Sequence, residues 1–195
     1  KIVRVEFTRE SEGWMTVVEP EPYENIIYRG ENLRSGDMLL EPKMLRAQDI
    51  GVLSSQGYAG VPVAAVPLVG VITTGSELRA PGQPLAAGQI YDSNGAQLCA
   101  QVEAVHARCR SYGTVADEPK QLAAAVEGAL GGCDLLLLSG GVSMGDLDFV
   151  PGVLKSLGAE ILFHKLAVKP GKPTLFARKE RSFVFGLPGN PVSTF

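Results

Sequence analysis

The sequence predicts an α/β fold: a three-layer α/β/α arrangement around a mostly parallel sheet over residues 67–195, preceded by a partial β-rich domain and connecting helix over residues 1–66. Three observations predict it. Leu135-Leu136-Leu137-Leu138 is a continuous apolar run of strand length, as expected of a strand covered on both faces by crossover helices. From Val66 onward such runs alternate with apolar residues at helical spacing, Leu98/Val102/Val105 and Leu122/Val126/Leu130. Gly-rich polar loops follow the strands, the sharpest being Ser139-Gly140-Gly141-Val142-Ser143-Met144-Gly145-Asp146-Leu147-Asp148.

The first region offers short strand-like pieces, Lys1–Thr8 and Trp14–Pro20. Ile26-Ile27-Tyr28 precedes a polar turn and Met38-Leu39-Leu40 follows one. A helix is expected over Ala47–Gln56, with Ile50 and Leu53 on one face and Gly57 as its stop. In the second region Leu68–Thr73 is the first strand. A helix follows over Ser93–Cys109, capped by Ser93 or Asn94. Arg110–Val115 is a second strand, and Asp117 reads as the N-cap of the next helix. Leu135–Leu138 is the third strand. Asp148 could cap a helix that runs to Leu157 and stops at Gly158. Glu160–Phe163 is another strand. Thr174–Ala177 and Ser182–Phe185 form a hairpin, and a last helix opens at Asn190 with Pro191 in its first turn.

In open α/β sheets ligands bind outside the carboxyl ends of the strands. The chemistry-bearing residues fall there: Thr74, Gly75 and Glu77, then Asp117, then Ser139, Gly140, Gly141, Ser143, Gly145, Asp146 and Asp148. Lys165, Lys169 and Lys172 follow the fourth strand, and Pro188, Gly189 and Ser193 follow the hairpin. Glycines let backbone N–H groups approach an anion. Glu77, Asp117 and Asp148 could share a Mg²⁺, a hard cation that takes oxygen ligands and keeps substrate phosphate in its shell. The lysines would neutralise an oxyanion. Neither His106 nor His164 shows a clear partner, and no cysteine falls in the group. A covalent Ser/His or Cys/His mechanism is therefore unattractive. Metal-assisted attack on a phosphoester or phosphoanhydride fits better.

The net charge of −3 argues against nonspecific nucleic-acid binding. No apolar run approaches the ~18 residues that span a bilayer. The three cysteines, Cys99, Cys109 and Cys133, match no zinc spacing, and their odd number fits reduced thiols and a cytoplasmic protein. The start lacks an initiator Met and a signal-peptide core, and the end reads as a cut helix, so an excised fragment is expected.

Five motifs occur in order: Thr74-Gly75-Ser76-Glu77-Leu78, Asp92-Ser93-Asn94, Ser139 through Asp146, Lys169-Pro170-Gly171-Lys172-Pro173, and Gly186-Leu187-Pro188-Gly189-Asn190-Pro191-Val192-Ser193. Together they resemble the molybdopterin molybdenumtransferase family, called MoeA in bacteria and the E domain of gephyrin in animals. Tyr28-Arg29-Gly30-Glu31-Asn32 through Val61-Pro62-Val63 resembles the part that precedes this domain. The resemblance implies an enzyme that takes adenylylated molybdopterin and molybdate, cleaves the adenylyl group with a divalent cation, and releases AMP. It implies that Glu77, Asp117 and Asp148 are the acidic active-site positions and Lys165 and Lys169 the basic ones. Asp92 and Asn94 would sit near the pterin–nucleotide site, and Lys172, Ser143 and Ser193 would contact the oxyanion. It further implies a missing N-terminal portion, a missing last β domain, a homodimer in the full-length protein and an adenylyltransferase partner.

Three alternatives stand beside it. Molybdopterin adenylyltransferases use the same α/β domain, although residues 1–66 argue against them. Competence-damage-type proteins carry a related domain. A binding or scaffold role of the gephyrin type is the third.

Overall fold

The computed structural model describes residues 2–142 and 149–195. The chain divides into two compact units, Lys1–Val63 and Ala64–Phe195.

In the first unit, β1 (Thr8–Ser11) and β2 (Trp14–Val17) form an antiparallel hairpin. Its two-residue turn has positive φ at both Glu12 (52°) and Gly13 (77°). That is the mirror-image turn whose twist suits a hairpin. The strand expected over Lys1–Thr8 starts only at Thr8, because Val5–Phe7 is a 3-10 turn. The strand expected over Trp14–Pro20 ends at Val17. Ile26–Tyr28 and Met38–Leu40 form no strand: their backbones find local partners, as where Tyr28 N–H donates to the Glu31 carboxylate at 2.7 Å. Helix α1 (Ala47–Ser55) forms as expected but ends one residue short of Gln56, before Gly57, whose φ is +85°; of its expected apolar face Leu53 is buried whereas Ile50 is exposed.

The second unit is built on a six-stranded sheet in the order β6-β3-β7-β10-β9-β8. Its strands are β3 (Leu68–Thr74), β6 (Arg108–Val115), β7 (Leu135–Ser139), β8 (Glu160–His164), β9 (Leu175–Lys179) and β10 (Ser182–Leu187). Pairs β3–β6, β3–β7 and β7–β10 are parallel, and β9 runs against both neighbours, β10 and β8. Five strands therefore point their carboxyl ends at one rim, and β9 brings its amino end there. Two-residue strands β4 (Leu78–Arg79) and β5 (Ile90–Tyr91) pair parallel beside it. They are too short to show a sequence pattern.

Helix α2 spans Ser93–Ala104, α3 Pro119–Leu130, α4 Val150–Ser156 and α5 Pro191–Thr194. α3 and α4 cover one face, where Ile72, Leu136, Leu138, Leu175 and Val184 pack with Leu122, Val126 and Leu154. α2 packs on β3 and β6, with Leu98 and Val102 buried. Pro119 occupies the first turn of α3, where its missing N–H is no loss.

Several boundaries move. α2 ends at Ala104 rather than Cys109, and β6 begins two residues earlier than expected. His106 therefore sits in a turn with φ +60°, not mid-helix. The cap of α2 is Asp92, not Ser93 or Asn94: its Oδ1 accepts from Gly95 N–H at 2.9 Å. The residue before α3 is Glu118, so Asp117 is not that helix's cap. The expected cap Asp148 lies outside the described residues, and α4 is preceded by Phe149.

Candidate active site

A cavity of about 450 Å³ opens on the carboxyl rim of the sheet. Thr74, Gly75 and Glu77 reach it from the end of β3, and Asp117 from the end of β6. Gly140, Gly141 and Val142 follow β7, Pro173 precedes β9, and Pro188, Gly189, Asn190 and Ser193 follow β10. A smaller cavity of about 90 Å³ shares Thr74, Glu77 and Gly189 and adds Asp92, Asn94 and Ser139 from the α2 and β7 side.

The two acids are placed differently from simple caps. Asp117 Oδ2 accepts the Ser76 N–H at 3.1 Å, and Asp117 N–H donates to Ser76 Oγ at 3.2 Å. This reciprocal pair ties the end of β6 to the β3 loop and holds Asp117 on the cavity that Glu77 also lines. The Glu77 carboxylate folds back over Gly75, where a Cβ would lie 2.8–3.0 Å from Glu77 oxygens and Leu78.

Behind the cavity wall lies a buried polar network. Asp92 Oδ2 accepts from Thr73 Oγ1 at 2.7 Å and Thr114 Oγ1 at 3.3 Å. Asn94 Nδ2 donates to Ser139 Oγ at 2.8 Å and to the Gly189 carbonyl at 2.9 Å. Asn94 therefore pins the start of α2 to the ends of β7 and β10, and Asp92 pins it to β3 and β6. These two residues brace the rim. Two atoms in this wall, Thr74 Oγ1 and Asn94 Oδ1, are buried and have no hydrogen-bond partner among the described residues. Uncompensated buried polar atoms are costly, and a polar ligand is one way to satisfy them.

Two of the glycines, Gly75 and Gly140, serve close approach. Gly140 has φ +99°, and a Cβ there would lie 2.5 Å from the Thr74 carbonyl oxygen. Its N–H is spent on the Leu187 carbonyl at 3.0 Å, and the Gly75 N–H on the Val115 carbonyl at 3.1 Å. The expectation that these amides face an anion is not met at either position.

The lysines stand apart from the cavity wall. Lys165, Lys169 and Lys172 are exposed on the β8–β9 connection, which Lys165 N–H and Leu166 N–H tie together through the Thr174 and Lys172 carbonyls, each at 2.8 Å. Pro173, at the end of that connection, does line the cavity. His164 has a partner that the sequence did not disclose: its Nε2 lies 2.9 Å from the Val142 carbonyl oxygen, across 22 residues. Val142, Pro173 and Asn190, none of them a candidate site residue from the sequence, also line the cavity, although all three lie inside the motifs given above.

Ser143, Gly145, Asp146 and Asp148 lie outside the described residues. Among the described residues no three His, Cys, Asp or Glu are grouped as a metal site. Glu77 and Asp117 supply two carboxylates to one cavity, a donor set suited to a hard cation. Among the described residues no helix is long and apolar enough to cross a membrane.

Residues 70–195 match the family described as "Probable molybdopterin binding domain". The chain is 38% identical to the molybdopterin molybdenumtransferase of Haemophilus influenzae over 194 residues, 98% of this chain and 48% of that protein. It is 38% identical to the Bacillus subtilis protein of the same name over 173 residues, 88% of this chain and 40% of that one. Two crystal structures of a Pyrococcus horikoshii molybdopterin biosynthesis MoeA protein superpose with TM-scores of 0.79 and 0.73 at 31% and 30% identity. They cover 99% and 100% of this chain, which covers 48% and 47% of theirs. The chain spans about half the length of these relatives.

Proposed function

The chain belongs to the molybdopterin-binding domain family, and from that premise we propose that the whole protein is a molybdopterin molybdenumtransferase of molybdenum cofactor biosynthesis. It takes adenylylated molybdopterin and molybdate, transfers molybdenum to the pterin dithiolene and releases AMP. One observation supports this reading most: Glu77 and Asp117 arrive from different strands at one cavity walled by the Gly140-Gly141 and Pro188-Gly189 turns. Relatives bearing that name match through residues 1–66 as well, which favours this reading over an adenylyltransferase or a scaffold.

Glu77 and Asp117, with Asp148, would hold a divalent cation such as Mg²⁺, which supplies charge neutralisation at a phosphoanhydride when bound. The chain's own contribution is orientation. The Ser76–Asp117 pair fixes one acid against the β3 loop, and the Asp92 and Asn94 network holds the rim rigid behind it. Preorganised groups of this kind act without reorganising during reaction. Lys165, Lys169 and Lys172, on the neighbouring exposed connection, would draw in anionic substrate. We assign a homodimer, an adenylyltransferase that supplies the substrate, and a cytoplasmic setting to the same reading.

The test is AMP release from adenylylated molybdopterin by the full-length protein, with and without molybdate and Mg²⁺. Molybdate-dependent release is expected. Asp117→Asn and Glu77→Gln should each lower it about 10²-fold with unfolding unchanged. Adenylylation of molybdopterin from ATP would move the assignment to an adenylyltransferase. Neither activity would leave a binding role.

A further inference from the structure

Away from the cavity, two of the three cysteines face each other where α2 turns into β6. The turn is tight: His106 N–H donates to the Glu103 carbonyl at 2.9 Å and Ala107 N–H to the Val102 carbonyl at 3.2 Å. That second bond sets Ala107 level with Val102. From there α2 climbs about 4.5 Å to Cys99 at ~1.5 Å per residue. β6 climbs about 6.6 Å to Cys109 at ~3.3 Å per residue, so the two thiols come to similar heights.

They also share a side. Cys109 lies beside Val69, Ser111 beside Val71 and Thr114 beside Thr73, one face of the β3–β6 pair. Thr114 Oγ1 reaches Asp92 at the start of α2, so this is the face that α2 covers. Both thiols are half-buried, open to a small oxidant, whereas Cys133 is buried and lies against the position of a Gly70 Cβ on the other face.

We propose that Cys99 and Cys109 form an oxidisable dithiol, a modification site at which a peroxide closes an intramolecular disulfide. The peroxide oxidises one thiol to a sulfenic acid, itself being reduced to water. The second thiol then attacks that sulfur, forms the S–S bond and expels a second water. In sum, two thiols and one hydrogen peroxide give one disulfide and two waters, a two-electron exchange. Burial, and then hydrogen bonding to Cys99, push the Cys109 thiol up to about 12. The bond would staple the two elements whose far ends carry Asp92 and Asp117, coupling thiol oxidation to the rim of the cavity.

The test treats the full chain with hydrogen peroxide and maps its peptides by mass spectrometry without reduction. A linked Cys99–Cys109 peptide pair is expected, lighter by about 2 Da and restored by dithiothreitol. Cys109→Ser should leave a sulfenic acid on Cys99 that dimedone traps, and Cys133→Ser should leave the linkage intact. Linkage through Cys133, crosslinks only between chains, sulfinic acid as the sole product, or thiols unchanged by excess peroxide would each overturn the proposal.

Discussion

The two units of this chain are held by different forces. In the second unit a sheet buries apolar side chains against helices: Ile72, Leu136, Leu138, Leu154, Leu175 and Val184 are all fully enclosed. In the first unit Leu53 is the one buried apolar side chain among the described residues. Its other buried side chains are acids. Glu21 accepts from Arg4 and from the Arg4 and Tyr23 amides, and Asp49 pairs with Lys43 and Arg46. Apolar burial scales with area and does not depend on pH, whereas carboxylate pairing does. Unequal responses to truncation, to glycine replacement and to acid follow from that contrast.

Core truncation should separate the units most. Leu138 sits in β7, between β3 and β10, with no exposure, so Leu138→Ala should cost about 4 kcal/mol. Leu53 is 9% exposed on a surface helix with few apolar neighbours to lose, and Leu53→Ala should cost about 2 kcal/mol. Denaturant unfolding of both variants measures the difference. An equal or larger loss at Leu53 would mean that the first unit has an apolar core after all.

How much was legible in the sequence follows the same divide. The sheet strands and the helices over them were readable because burial on one or both faces writes a period into the chain. Leu135–Leu138 and Leu122/Val126 are examples. The first unit buries almost nothing apolar, so Ile26–Tyr28 looked strand-like on composition alone and is not a strand. At the site, strand-end position located Glu77, Asp117 and the glycines, since parallel topology sends those ends to one rim. Partnership was not legible. Asp117 resembles a cap from its neighbours, but its partner Ser76 is 41 residues away. His164 likewise meets Val142 only through tertiary structure. The glycine signal was ambiguous in kind: at Gly140 a carbonyl 2.5 Å from any Cβ is by itself enough to require glycine.

Glycine replacement sharpens the contrast at smaller magnitude, because the same change should have opposite signs. Replacing a helical glycine with alanine gains about 0.5–1 kcal/mol when the new methyl has room. Gly51, in α1 of the first unit, has open space at its Cβ position, so Gly51→Ala should stabilise by that amount. Gly95, in the first turn of α2, has Asp92 Oδ2 2.6 Å from that position. An added methyl there must displace the carboxylate that holds Thr73 and Thr114. Overpacking costs about 1–3 kcal/mol and exceeds the propensity gain, so Gly95→Ala should lose about 1–2 kcal/mol net. Stabilisation by both variants would mean that the Asp92 network yields freely and braces little.

Acid should distinguish the units with the least effect on global unfolding. Burial alone would raise the Glu21 pKa, but hydrogen bonds from the Arg4 side chain and from the Arg4 and Tyr23 amides outweigh it and hold it below the ordinary 4.5. The Asp49 carboxyl is held below 3.8 chiefly by its hydrogen bond from Lys43 and then by the Arg46 amide. A depressed folded-state pKa means that the unfolded state binds more protons through this range. The stability these groups confer is therefore complete above their ordinary values and disappears as pH falls through the folded ones. Below about pH 4 the first unit should open locally while the second keeps its core. Amide exchange at Tyr23 and Arg46, whose N–H groups donate to these carboxylates, should accelerate ahead of exchange at Leu136 and Leu138. Glu21→Gln should flatten the response at Tyr23 and leave that at Arg46 unchanged, because the two acids share no partner. Acceleration in step with β7 would mean that the chain unfolds as one cooperative body and that the carboxylate pairs do not set the first unit's stability.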